Sequence, residues 1–189
     1  YTQQDTLSLH DALPISVIVR AANVLRQYAE HDVTQSWRTL TERLARDGIV
    51  VDGTCDELGR ISTWVTLTVS GPATLTMSLR LAGLDDPAIL AERLPKALIH
   101  HNVPGEPVHA LMAALSRAWR HQAPLSVHGA RQRFVAAVRE VRAGGIPVLD
   151  EPSRWRLGEL TVPWDSVAPV ARAAADPAAR AAMPKSQRV

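Results

Sequence analysis

Two short, continuous apolar runs, with an amphipathic segment between them, stand out near the start of the chain. Residues 17–19 and 49–51 each contain three consecutive Val or Ile residues, a pattern typical of strands buried on both faces of a parallel sheet. Between them, apolar positions recur with helical spacing from about Asp32, and Gly48 is expected to end that helix. The stripe consists of Val33, Trp37, Leu40 and Leu44. The order strand, helix, strand predicts two parallel neighbouring strands.

The pattern then changes to alternation, which predicts an antiparallel hairpin. Residues 63–69 and 74–81 alternate between two kinds of side chain, are rich in Thr and Val, and are separated by a turn at residues 70–72. One face of the second strand is apolar and should point into the core. It carries Leu75, Met77, Leu79 and Leu81.

Beyond residue 84 the spacing predicts mainly helices. Asp86 followed by Pro87 is a typical helix start, and that helix should end near Leu94. Two longer helices are predicted, from Glu106-Pro107 and over residues 131–143. Their buried stripes are Val108, Leu111, Met112, Leu115 and Trp119 in the first, and Phe134, Val135, Val138 and Val141 in the second. Residues 146–149 are expected to form an extended edge, and residues 155–162 a small hairpin around Gly158.

Residues 1–15 do not fit this organisation. Their apolar positions follow neither a helical nor a strand period, and the segment lacks the basic start, apolar stretch and cleavage site of a secretory signal. Residues 6–15, TLSLHDALPI, resemble one reading frame of a common short-read sequencing adapter, and residues 1–5 fit its index and flanks. We therefore expect the natural sequence to begin near Ser16. The alternative is an ordinary polar N-terminal arm.

Charge and cysteine usage narrow the class of protein. Leaving out Asp5 and Asp11 changes the formal net charge from +2 to +4. The arginines are spread along the chain, which favours a solvated surface over a nucleic-acid interface. Cys55 is the only cysteine, so no internal disulfide can form, and the cytoplasm is the expected compartment. No run of about eighteen apolar residues is present, so no membrane-spanning helix is predicted.

Two stretches resemble the second half of a class I S-adenosylmethionine-dependent methyltransferase. Residues 17–28, VIVRAANVLRQY, look like the fourth strand of that family and the loop after it, and the chemotaxis-receptor methyltransferases have a similar Arg/Asn-Val-Leu-x-x-Tyr stretch. Residues 40–54, LTERLARDGIVVDGT, look like a helix end, a turn and the fifth strand. The resemblance covers residues 16–81 and implies a sheet that is parallel except for one strand, which enters from a terminal hairpin.

The predicted fold class is therefore α/β, with an incomplete Rossmann-like sheet. Residues 1–15 are set aside as an artefact, and residues 16–83 form the methyltransferase-like core: parallel strand, helix, strand and antiparallel hairpin. Residues 84–165 form an α-rich extension with short strands, whose role the resemblance leaves unassigned. Residues 166–189 form a tail rich in Ala, Arg and Pro.

Ligands of open α/β sheets bind beyond the carboxyl ends of the parallel strands, which here are residues 20–23 and 53–57. The resemblance implies that the first group and the residue after it contact S-adenosylmethionine, through Arg20, Ala21, Asn23 and Val24. Asn23 offers both a donor and acceptors, although it could instead hold its own turn. Arg20 could pair with a carboxylate or simply be a surface arginine.

Residues after the second strand are candidates for binding the methyl acceptor. They are Asp56, Glu57 and Arg60. A solvated loop with a local ion pair is the favoured alternative for these three residues. His100 is a further candidate for substrate binding, because one of the histidines at 100 and 101 could act as a general base. Adjacent histidines in an extended stretch point to opposite sides, so we expect no metal site there.

The cysteine and the tryptophans are more easily explained by structure than by chemistry. No base can be identified beside Cys55, so it is not expected to be a nucleophile. The five tryptophans lack the spacing of a stacking platform and are expected in the core and at interfaces.

The family holds its cofactor with a Gly-rich turn and an acidic residue. Both should lie before residue 17, and no glycine precedes Gly48.

The sequence thus predicts a methyltransferase fragment that is inactive by itself and binds S-adenosylmethionine weakly or not at all. The parent enzyme would methylate a small molecule or another acceptor that the sequence does not identify. The alternative is a non-enzymatic α+β interaction domain that binds an anionic partner. We also expect the strand at residues 17–19 to form an open apolar edge that makes the chain poorly soluble.

Overall fold

Alternation of apolar and polar residues gives the sheet one face that has to be covered. The computed structural model describes residues 16–170. Its strands are β1 Ser16–Ala22, β2 Leu44–Cys55, β3 Ile61–Thr68, β4 Gly71–Leu79 and β5 Glu159–Pro163. Its α-helices are α1 Glu30–Thr41, α2 Lys96–Ile99, α3 Pro107–His121, α4 Ala130–Ala143 and α5 Pro152–Trp155. Short 3-10 helices occupy Leu25–Gln27, Pro87–Arg93, Ala123–His128 and Trp164–Ser166.

The strands form one mixed sheet in the order β1-β2-β3-β4-β5. β1 and β2 are parallel and are connected through α1, whereas the other three neighbouring pairs are antiparallel. The predicted parallel strand–helix–strand unit and the hairpin after it are therefore confirmed. The segment assigned to an adapter and most of the tail lie outside the described residues.

Gly48 lies inside β2 and does not end α1, so that prediction is wrong. α1 ends at Thr41, and Leu44 already belongs to the strand. A Cβ on Gly48 would lie 2.8 Å from the carbonyl oxygen of Ser16, so only glycine allows β1 to come this close. The parallel pair also shifts register between Ser16 and Ile18. Glycine is needed at position 48 because β1 and β2 approach closely there, and not because a helix ends.

β1 is not buried on both faces, as its apolar run alone suggested, but it does form the exposed apolar edge that we expected. The side chains of Val17 and Ile18 are 65% and 68% exposed. β1 pairs only with β2 among the described residues, so it lies at an edge of the sheet. An apolar edge strand is a template for pairing with other chains.

The C-terminal part of the sheet also differs from the prediction. Residues 146–149 form no strand, and residues 155–162 form no hairpin because Trp155 ends α5. Only β5 is extended there, and it pairs with β4 at the far edge of the sheet. The side chain of Asp150 accepts a hydrogen bond from the Thr161 N–H, which ties residues 146–150 to β5 without a ladder.

The helices cover one face of the sheet. The predicted inward residues of β4 and the predicted stripes of α3 and α4 are all buried in one apolar cluster. Trp119 of α3 packs edge-to-face on Phe134 of α4, and the Arg133 guanidinium lies 3.8 Å from the Trp119 ring centroid. Asp86 caps the 3-10 helix after it by accepting the Ala88 N–H, as its sequence predicted, although that helix is not α-helical.

The opposite face of the sheet is only half-buried. It carries Val51 and Gly53 of β2 and Ser62 and Trp64 of β3. The described residues therefore form two layers, helices on one side and a partly open sheet on the other.

Gly158 should tolerate no side chain. Its φ is +86°, and a Cβ would overlap the Leu79 carbonyl oxygen, next to the hydrogen bond from the Leu79 N–H to the Gly158 oxygen. We expect Gly158→Ala to lower the free energy of unfolding by more than about 3 kcal/mol in urea titrations. Gly83→Ala is the control, because Gly83 also has a positive φ but open space around it; its cost should be about 1 kcal/mol. Equal losses in the two variants would contradict the steric explanation.

A charge on the β1 edge should reduce self-association. We expect Ile18→Lys to sediment with less aggregate than the wild type at the same protein concentration, because a lysine opposes strand pairing. The free energy of unfolding should change by less than about 1 kcal/mol, since Ile18 is exposed. Val127→Lys, which is exposed but outside the sheet, is the matched control and should leave aggregation unchanged. Equal effects of both lysines would show that net charge alone is responsible.

Candidate functional site

A cavity of about 440 Å³ lies beyond the carboxyl ends of β1 and β2. It contains three of the residues that the sequence proposed for a site: Asn23, Asp56 and Glu57. The complete lining is Asn23, Arg26, Gln27, Cys55, Asp56, Glu57 and Arg93. The parallel pair thus gathers its two carboxyl-end segments into one concave surface, as α/β sheets generally do.

Asn23 holds the turn at the end of β1. Its φ is 58°, a left-handed conformation that Asn tolerates better than most residues. Its side-chain oxygen accepts the Cys55 N–H at 2.9 Å, its Nδ2 lies 3.4 Å from the Cys55 Sγ, and its own N–H donates to the Gly53 carbonyl at 2.7 Å. The amide therefore joins β1 to β2, which is the structural role considered in the sequence analysis.

Asp56 and Arg60 act mainly within the β2–β3 turn. One Asp56 carboxylate oxygen accepts the N–H groups of Arg60 and Ile61 at 2.6 and 3.2 Å. Arg60 contributes its backbone, and its carbonyl also accepts the Arg80 N–H at 2.7 Å. Glu57 is more open, with a carboxylate oxygen 3.8 Å from Arg93 Nη2. Asp56 and Arg60, two of the three residues proposed to bind the acceptor, therefore have structural roles in the turn. Glu57 faces solvent.

Two arginines complete the cavity, and the sequence analysis missed both. Arg26 Nη2 donates to the Glu92 carbonyl at 3.0 Å, and the Arg93 carbonyl accepts the hydroxyls of Thr54 and Thr63. Arg26 Nη1 and Arg93 Nε are buried without a hydrogen-bond partner in the described part of the chain. Arg26 lies within the methyltransferase-like stretch of residues 17–28, so the sequence could have identified it as a candidate site residue. Arg93 reaches the site from a distant helix and left no local signal.

The other predicted site residues are divided among different surfaces. Arg20 and Ala21 line a neighbouring cavity of about 240 Å³ on the half-open side of the sheet, together with Cys55 and Trp64. Val24 lines another cavity against α1. His100 lines none of these three, and its Nε2 lies 3.2 Å from Lys96 Nζ. Among residues 16–170, no group of three or more His, Cys, Asp or Glu side chains is placed to hold a metal ion.

Asp52 is a buried carboxyl that the sequence did not single out. It points from β2 toward the helices, is 2% exposed and accepts a hydrogen bond from Trp37 Nε1 at 2.9 Å. Burial raises the pKa of Asp52 above its ordinary value of 3.8, and the hydrogen bond from Trp37 opposes that rise. The Trp37–Asp52 hydrogen bond joins α1 to β2, so the titratable carboxyl group of Asp52 lies at the contact between the helix and the sheet.

Asp52 should make stability depend on pH. Because the folded state binds the Asp52 proton more tightly than the unfolded state, stability should fall as pH rises from 3.8 through the raised pKa. We expect Asp52→Asn, whose oxygen can still accept from Trp37, to gain stability relative to wild type across that window. Urea unfolding at a series of pH values measures this difference. Asp47→Asn, exposed in the same strand, is the control; parallel curves for wild type and Asp52→Asn would contradict the expectation.

Comparison with known proteins gives no further guide to the site. No family model, no characterised protein and no solved structure matches this chain. Among the described residues, no helix is both long and apolar enough to span a membrane. The function is therefore inferred from the chain's own geometry.

Proposed function

We propose that the described strands belong to the core of an S-adenosylmethionine-dependent methyltransferase. The main observation in its favour is the cavity at the carboxyl ends of β1 and β2, which brings Asn23 and residues 55–57 together. The strand directions support the proposal, because β3 alone runs against the other three among β1–β4. The resemblance implies only one antiparallel strand, and β5 departs from it because it is a second one.

The cavity residues fit part of such a cofactor. Arg26 and Arg93 are cationic, and Arg93 is 26% exposed, so its guanidinium suits a carboxylate such as that of a methionine moiety. The Asn23 amide is already used between β1 and β2, which leaves it poorly placed to bind an adenine edge. The fit is therefore to an anionic group rather than to the whole cofactor, in agreement with weak binding.

The chemistry of the reaction would come from the cofactor, which supplies an activated methyl group. The chain's own part would be to bind and orient. Methyl transfer is an in-line displacement, so holding the acceptor at a fixed angle and distance lowers the barrier. The turn built by Asn23 and Asp56 is rigidly hydrogen-bonded and would serve as that fixed wall.

A second candidate is a non-enzymatic domain that binds an anionic partner through the same arginines. It is favoured by the two buried guanidinium nitrogens that have no hydrogen-bond partner among residues 16–170, since such groups need a counter-charge or water. The two candidates differ in what they recognise. A methyltransferase core would distinguish the cofactor product from a simple anion, whereas an anion-binding domain would not.

Titration of the chain with S-adenosylhomocysteine tests the proposal. We expect backbone amide NMR shifts at residues 23–27 and 53–57, with a dissociation constant on the order of 1 mM or weaker. Arg93→Gln should weaken the response about tenfold, because it removes the charge that we assign to the cofactor carboxylate. Arg80→Gln, an exposed arginine outside the cavity, is the control. Equal shifts with inorganic phosphate would favour the anion-binding domain, and shifts confined to other surfaces would contradict both candidates.

A further inference from the structure

A second cavity, of about 550 Å³, lies where α1, α2 and the end of the described chain meet. It is separate from the carboxyl-end cavity and shares none of its lining residues. Its walls are Glu30, His31, Val33, Thr34, Trp37, Ala97, His101, Trp164 and Pro169. Its volume is in the range of small-molecule sites.

Two indole rings form an aromatic corner in this cavity. The rings of Trp37 and Trp164 have centroids 5.6 Å apart and an interplanar angle of 80°. Trp37 Nε1 already donates to Asp52, so this indole offers the cavity no free donor for an anionic ligand. A cation that lies over the face of a tryptophan ring, within about 6 Å of the ring centroid, is attracted by the electron-rich π-system.

One acidic side chain lines the same cavity and a second lies behind it. Glu30 lies at its rim, with a carboxylate oxygen 2.7 Å from His101 Nε2. Behind them, Glu106 is 4% exposed; its Oε2 lies 3.8 Å from His101 Nδ1 and accepts the Val170 N–H at 3.0 Å. Among the described lining residues there is no lysine or arginine, and the other titratable side chain is His31. The Glu30 carboxylate is therefore the acidic group that lines the space beside the rings.

We propose that this cavity binds an organic ammonium compound, with the cationic head in the Trp37–Trp164 corner and Glu30 as its counter-charge. A metal ion fits less well, because the described residues place no group of three or more metal-binding side chains together. An anion would meet the Glu30 carboxylate and, among the described lining residues, no arginine or lysine. The site does not depend on the proposed methyltransferase activity, since its residues lie outside the carboxyl-end cavity.

The five tryptophan indole N–H signals of the full chain provide the readout. Choline is the probe, and 3,3-dimethylbutan-1-ol, which has the same shape without the charge, is the matched control ligand. We expect choline to shift the indole signals of Trp37 and Trp164 in a saturable way and to leave Trp64, Trp119 and Trp155 unchanged. The neutral alcohol should bind at least about tenfold more weakly, because the cation–π and carboxylate attractions are lost.

Variants separate the two parts of the site. Glu30→Gln and Trp164→Leu should each weaken choline binding about three- to thirtyfold, the range expected for one exposed or partly buried cation contact. Trp64→Leu, on the other face of the sheet, should leave it unchanged, and far-UV circular dichroism checks that each variant is folded. Equal binding of choline and the neutral alcohol, the same affinity in Trp164→Leu, or shifts only at other tryptophans would overturn the proposal.

Discussion

The parallel pairing of β1 with β2 is the contact on which the rest of the structure depends. It requires glycine at position 48, because a Cβ there would press on the backbone of Ser16. It also fixes where both strands end, so that Asn23 can bond to Cys55 across the pair. α1 is then held over the sheet by the Trp37–Asp52 hydrogen bond. The parallel pair thus places the carboxyl-end cavity, and the Trp37–Asp52 hydrogen bond fixes one wall of the cavity beside α1.

The two cavities differ in the charged side chains that line them. The carboxyl-end cavity contains Arg26 and Arg93, each with a buried nitrogen lacking a partner among the described residues. The cavity beside α1 contains one carboxylate, two histidines and two indoles among its described lining residues. Asp56 and Glu57 line the carboxyl-end cavity as well, so its case for an anionic group rests on the two guanidinium nitrogens and not on an excess of positive charge.

The half-open face of the sheet and the edge at β1 are the least protected surfaces of the described chain. Trp64 and Val51 are only partly covered on that face, and Val17 and Ile18 are mostly exposed at the edge. Natural sheets usually cover or charge such positions. The other edge is different, because β5 is tied back by the Asp150 carboxylate and by the segment before it. Stability is therefore unevenly distributed between the two edges of the sheet.

The sequence by itself determined the parallel unit, the hairpin and the buried stripes of α3 and α4, because periodicity is a local property that side-chain burial enforces. It also located Asn23 and residues 56–57 at the carboxyl ends. Only the tertiary structure showed that Gly48 serves strand contact, that β5 pairs with β4, and that residues 155–162 form no hairpin. Arg93 beside Arg26, and His101 beside Glu30 at a separation of 71 residues, depend on how distant elements pack. No local spacing encodes such contacts, so chain folding alone decided them.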